Sequence, residues 1–133
     1  MNATGRPVER MNTEEREYAR EHLQLRQEAG DILTWGYEEF TLHLAPGVAY
    51  RPDFHIIHAD GSFCFVELKS TWRKKLKRGF SYTAHWEDDS RVKFKLAAEK
   101  HPLITFLAVR KLHPDEGFGW ETFEILNPGG SDA

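Results

Sequence analysis

Cysteine is almost missing from this 133-residue chain, where Cys64 stands alone. A lone thiol closes no internal disulfide and builds no cysteine-based zinc site. Long apolar runs are missing as well. No stretch approaches the ~20 residues that a membrane-spanning helix needs, so no membrane association is expected. No signal-peptide pattern opens the chain, whose first residues include Arg6, Glu9 and Arg10. Internal repeats and linkers are lacking, so a single domain over 1–133 is expected, with flexible tails at 1–11 and 127–133. Basic charge is not in excess either. The net charge is −3, whereas nucleic-acid binders are often basic overall. These absences fit a reducing cytoplasm, and 40% hydrophobic with 29% charged residues is ordinary for one globular core.

Histidine occurs seven times, but without the spacing of a metal site. His55 and His58 fall on opposite faces of one strand, and His22, His43, His85, His101 and His113 are scattered. His55 shares the parity of Asp53 and reads as a polar neighbour of whatever Asp53 does. Cys64 reads as a small buried apolar residue, since strand alternation turns it away from Glu67.

What is present in strength is the run from Tyr50 to Ser70. Residues 53–58 and 62–69 are rich in β-branched and aromatic side chains, and Asp60-Gly61 between them signals a hairpin turn. Glu67 and Lys69 interrupt the apolar second strand. Being two residues apart they share a face, roughly 6–7 Å apart along the strand. A two-residue turn would set Asp53 opposite Leu68, on the wrong face. A three-residue turn, Ala59-Asp60-Gly61 with a left-handed glycine, would set it opposite Glu67, and a bulge would also change the parity. The expectation is an odd turn or a bulge. Two carboxylates on one sheet face repel, and a hard cation with oxygen ligands such as Mg²⁺ or Mn²⁺ offsets that repulsion.

Pro52-Asp53 followed by Glu67-Leu68-Lys69 resembles the Pro-Asp…(Asp/Glu)-x-Lys signature of the PD-(D/E)XK nuclease superfamily. The run from Met11 to Val109 resembles, more narrowly, small phage-encoded members of that superfamily. It does so through Met11-Asn12, Glu15, Tyr18-Ala19, Tyr50-Arg51-Pro52-Asp53-Phe54 and Asp88-Asp89-Ser90-Arg91-Val92-Lys93. The resemblance implies an α/β (α+β) fold with an αβββαβ restriction-endonuclease-like core, a mixed sheet flanked by helices. It implies metal held by Asp53, Glu67 and the Leu68 carbonyl, with Lys69 positioning water. Glu15 would join from the first helix, and Lys93 or Lys95, with Lys93 as the candidate, would face the scissile phosphate. The implied activity is a metal-dependent DNA endonuclease that leaves a 5′-phosphate and a 3′-hydroxyl. Branched or junction DNA is the implied substrate, as for Holliday-junction-resolvase-like proteins in phage DNA processing, in the host cytoplasm if phage-encoded. Two-fold cleavage of a junction would need a homodimer.

The remaining chain frames this hairpin. Asn12 can cap a helix to about Glu28, stopped by Gly30, with Tyr18, His22, Leu25 and Ala29 on its buried side. Glu15 lies three residues after Asn12, so a capping box competes with a site role. Ile32–Trp35 begins extended structure that Gly36 interrupts, and Phe40, Leu42 and Leu44 alternate as a further strand. Glu38 reads either as an edge residue in solvent or as an extension toward the site. After Ser70, Arg73, Lys74, Lys75, Lys77 and Arg78 form a basic loop with Trp72, Phe80, Tyr82 and Trp86 interleaved, a pattern suited to phosphates and unstacked bases. Glu87, Asp88 and Asp89 open a second helix, whose apolar stripe is Val92, Leu96 and Ala97 with Phe94 beside them. Ile104–Val109 reads as a buried strand and Phe118–Leu126 as an edge strand. Two other functional classes fit the same residues. One is a non-catalytic DNA- or protein-binding module on such a fold. The other is an interaction protein whose acidic face mimics nucleic acid.

Overall fold

The computed structural model describes residues 10–128. Residues 1–9 and 129–133 of the two expected tails lie outside the described residues. Two tail residues do not behave as tail. Met11 is 3% exposed in the core, and Asn127 hydrogen-bonds the carbonyls of Ala98, His101 and Ile104 through one side-chain nitrogen.

The chain folds as a mixed α/β protein around one five-stranded sheet. Its strands are β1 (Ile32–Tyr37), β4 (Phe54–His58), β5 (Phe63–Lys69), β8 (Thr105–Lys111) and β9 (Trp120–Leu126), in that spatial order. β1, β4 and β5 are mutually antiparallel, β8 runs parallel to β5, and β9 returns antiparallel. A parallel step needs a crossover. Here it carries a separate hairpin, β6 (Thr71–Lys75) with β7 (Phe80–Ala84), and the helix α3 (Ser90–Lys100). The strand following the second helix therefore joins beside the second half of the central hairpin, as expected.

Helix packing covers both sheet faces. The first helix starts as α1 (Thr13–Tyr18), widens into a π-helical stretch at Ala19–Gln24, and ends as α2 (Leu25–Glu28). Its Asn12 cap is a full capping box with Glu15, and Gly30 leaves the helix at φ 89°. Tyr18, Ala19 and Leu23 pack on Phe54, Ile56, Cys64 and Val66. On the opposite face, Phe94, Ala97 and Ala98 of α3 pack on Phe65, Phe106 and Ala108. Phe54, Phe94 and Phe106 are wholly buried, and each stabilises the fold by about 1.5–3 kcal/mol.

Both helices depart from their expected phase. Leu25 is 58% exposed, because the i→i+5 turns of the π stretch slip the apolar stripe round the helix. Val92 is 64% exposed. The helix begins only at Ser90, with Asp89 as its cap, so Glu87 and Asp88 precede it.

The strand order is also revised. Gly36 does not interrupt β1. A Cβ there would lie 2.4 Å from Cε1 of the buried His55 ring and 2.3 Å from a Glu39 carboxylate oxygen, so the strand passes only without a side chain. The 40–44 segment leaves the main sheet. Leu42–Ala45 (β2) instead pairs with Val48–Tyr50 (β3) in a small hairpin turned at Pro46-Gly47 and seated against α3. No helix among the described residues is long and apolar enough to cross a membrane.

Candidate active site

The site starts from a turn. The His58 N–H donates to the Ser62 carbonyl at 2.9 Å and the Gly61 N–H to the His58 carbonyl at 2.9 Å. Ala59-Asp60-Gly61 is therefore a three-residue loop, with Gly61 at φ 87°. The count is odd. The register that pairs Phe54 with Val66 and His55 with Phe65 leads next to Asp53 opposite Glu67. Asp53 Oδ2 accepts the Leu68 N–H at 2.8 Å, which ties the two strands beyond the end of their ladder.

Glu67 and Lys69 stand together at the C-terminal end of β5. Lys69 Nζ is 3.1 Å from Glu67 Oε2. The other carboxylate oxygen of Glu67 accepts the Tyr50 hydroxyl at 2.6 Å. Lys69 is itself buried, its ammonium 4.9 Å from the centre of the Trp86 ring. Glu15 arrives from the opposite face of the sheet. It keeps the capping box, accepting the Asn12 N–H at 2.9 Å, and also accepts the Tyr37 hydroxyl at 3.0 Å. Glu15 thus keeps its capping box while its carboxylate also borders the cleft that these side chains share. Two tyrosines, one from each core, hold the two glutamates.

These residues border one cleft of about 420 Å³, lined by Glu15, Asp53, Glu67, Leu68 and Lys69. Ser70, Trp72, His85 and Glu87 complete its mouth with Asn12. Glu87 was read only as a helix-opening acid, and nothing in its local pattern marks it as facing a cleft formed by distant segments. Glu38, half-buried at φ 49°, lies near enough to act electrostatically on Glu15 and Glu67. Its left-handed turn, unusual for a non-glycine, is what sequence parity misses.

Charge is crowded here. Burial raises the Asp53 carboxyl well above its ordinary range and the Glu67 charge adds to this, against opposing pulls from the Leu68 N–H and Lys69. Burial also raises Glu67, opposed first by Lys69 and then by the Tyr50 hydroxyl. Glu15 is raised by burial, with Glu38 and Glu67 contributing. Burial and mutual repulsion thus disfavour the charged forms of three acids around one cleft.

The donors suit a hard cation held by few protein ligands. Asp53 and Glu67 offer carboxylate oxygens. The Leu68 carbonyl faces the same side of its strand as the N–H that reaches Asp53. Among the described residues no three His, Cys, Asp or Glu side chains converge tightly enough to form a closed metal cage. Mg²⁺ and Mn²⁺ tolerate such a set, since Mg²⁺ retains several waters.

The basic segment is a strand pair rather than a loop. Arg73, Lys74 and Lys75 lie on β6 and Lys77 and Arg78 in its turn, all exposed. The base of the hairpin is fastened: Thr71 donates to the Lys111 carbonyl at 2.6 Å, and Tyr82 donates to Asp115 at 2.5 Å. Lys93 does not join the site. It pairs along its own helix with Asp89 at 3.7 Å and does not line the cleft. His55 also stays out. It packs between Phe40 and Phe63, with its buried Nδ1 lacking a hydrogen-bond partner.

No protein-family model, no curated protein and no solved structure matches the chain.

Proposed function

We propose that this chain is a metal-dependent DNA endonuclease, selective for branched or junction DNA. The observation that carries the reading is the odd turn. It sets Asp53 across from Glu67 with Lys69 Nζ 3.1 Å from Glu67, in a cleft beside an exposed basic hairpin. The order of helix, strands, helix and strand around the main sheet, and the likeness of Pro52-Asp53 and Glu67-Leu68-Lys69 to the PD-(D/E)XK signature, support it.

Asp53, Glu67 and the Leu68 carbonyl would hold Mg²⁺ or Mn²⁺. Such a cation, when bound, acidifies a coordinated water and offsets charge developing on phosphorus. The protein's own groups do the rest. Tyr50 fixes the Glu67 carboxylate, and Tyr37 and the Asn12 N–H fix Glu15. Lys69, held against Trp86, presents an ammonium to orient the attacking water and the phosphate oxygens. The water oxygen bonds to phosphorus, the bond to the 3′ oxygen breaks, and that oxygen leaves with a proton as a 3′-hydroxyl. The exposed cations of the hairpin hold the backbone. Action on a symmetric junction calls for two copies of the chain.

The test incubates branched, duplex and single-stranded DNA with the full chain in Mg²⁺ or in chelator. Cleavage is expected in Mg²⁺ only. Asp53→Ala and Lys69→Ala should each lower it by at least about a hundredfold. Activity that survives either change belongs to a contaminant and sinks the reading. Tight binding without cleavage would instead favour a non-catalytic DNA-binding module, because every acid in the cleft centre already has an internal donor. Absence of DNA binding at low salt would favour a protein-interaction role.

A further inference from the structure

At the mouth of the cleft, Trp72 and His85 are stacked face to face. Their ring centroids are 3.6 Å apart and their planes differ by 5°. The pair is built by the hairpin's register. Trp72 lies opposite Thr83, so His85, two residues on, is its diagonal neighbour. The His85 N–H donates to the Ser70 carbonyl at 2.9 Å, which continues the ladder past its last pair and fixes the backbone that carries the imidazole. Ser70 follows Lys69 directly, so the platform is anchored to the strand that carries the acid and the ammonium.

Trp72 nonetheless keeps 56% of its surface exposed. One face of the indole is backed by a ring and the side chain is still open to solvent. Burial does not explain a tryptophan in that position, and the core clusters do not include it. Lys74, exposed, shares its face of the strand, while Arg73 and Lys75, also exposed, project from the other face, Arg73 laid 4.1 Å over the Phe80 ring. A flat, rigid, backed aromatic on a hairpin that carries exposed cations suits one kind of occupant: a nucleobase out of its stack, with its phosphates on the cations.

We propose that Trp72, braced by His85, is a stacking platform for one unpaired base of a DNA substrate, so that the cleft takes substrates with a single-stranded segment next to the phosphate it holds. This rests on the nucleic-acid reading of the cleft but not on cleavage. Trp72 is thereby a specificity-determining residue, since a base in the interior of a duplex is already stacked on both faces and has none to offer.

The experiment measures binding in chelator, where no hydrolysis enters. The probes are a blunt duplex, the same duplex with a single-stranded overhang, and overhangs carrying one abasic residue at successive positions. With the wild-type full chain, the overhang should bind more tightly than the blunt duplex, and one abasic position should remove most of that advantage. Trp72→Ala should lower the overhang-to-blunt affinity ratio by about tenfold, within the range of one base–aromatic stack, and should be indifferent to the abasic position. Trp72→Phe, which still presents a ring, should restore most of the ratio. His85→Ala should give an intermediate loss. Equal weakening of blunt and overhang DNA by Trp72→Ala, or no sensitive abasic position, would overturn the platform. So would a complete lack of DNA binding. A protein that shows the stacking pattern and never cuts would overturn the nuclease reading alone.

Discussion

Asp53 carries its charge against its surroundings. Its carboxyl is raised well above the ordinary value of 3.8, first by burial and then by Glu67. The folded chain therefore holds that proton more tightly than the unfolded chain does. The resulting stabilisation is complete below the ordinary value and is lost as pH rises through the folded value. Asp53→Asn abolishes the titration while its side-chain oxygen still accepts the Leu68 N–H. In chelator at neutral pH the variant should melt several degrees above the wild type, a gain of about 1 kcal/mol corresponding to roughly 3–6 °C for a chain of this size. The gap should narrow toward acid pH. Thermal unfolding followed by circular dichroism across that range checks it, and a gap that widens in acid contradicts the stated charge balance. Cys64 shows the opposite, passive case. Burial pushes its thiol up to about 12, so at neutral pH it is a packing group, as its strand parity already implied.

Among the elements, β4 and β5 were legible because their information is local. Alternation and the chemistry of Ala59-Asp60-Gly61 decide which side chains share a face, and the turn length and the option of a bulge were the ambiguities to resolve. Both helices were found but misphased. The π stretch at Ala19–Gln24 and the late start of α3 at Ser90 depend on tertiary packing, which no window of sequence contains. The same holds for β2 and β3, whose alternation looked like that of a sheet strand but whose partners are each other and α3. Glu87 reaches the cleft from irregular backbone ahead of α3, where no periodicity speaks. Asn127, expected in a tail, locks the end of β9 onto the end of α3. Its side-chain nitrogen lies 2.7 Å from the Ala98 carbonyl and 3.1 Å from those of His101 and Ile104, and its φ is 56°. Asn127→Gly retains the backbone geometry and should cost about 1–3 kcal/mol from the lost side-chain hydrogen bonds, since the Ala98 and His101 carbonyls keep backbone donors. Asn127→Ala should cost more, since alanine resists a left-handed φ. Denaturant unfolding of the two variants tests that order, and equal losses would mean that the backbone angle contributes nothing.

At the scale of the molecule, a chain of net charge −3 separates its signs in space. Acids crowd the cleft, while Arg73, Lys74, Lys75, Lys77 and Arg78 project on one exposed hairpin. Overall charge therefore says little about partners here, and local concentration says more. If the hairpin meets phosphates, neutralising all five cations should flatten the dependence of affinity on salt by about 0.9 in log–log slope for each lost contact. Fluorescence titration at several salt concentrations measures this. A slope unchanged from wild type would mean that the hairpin stays clear of the backbone. The turn at Ala59-Asp60-Gly61 has a consequence for genes as well as for folds. Losing a single codon there would preserve every letter of the Pro-Asp and Glu-Leu-Lys words while swinging Asp53 to the far side of the sheet. A scan for spelling would still score such a gene as intact, although its two halves would no longer meet on one face of the sheet.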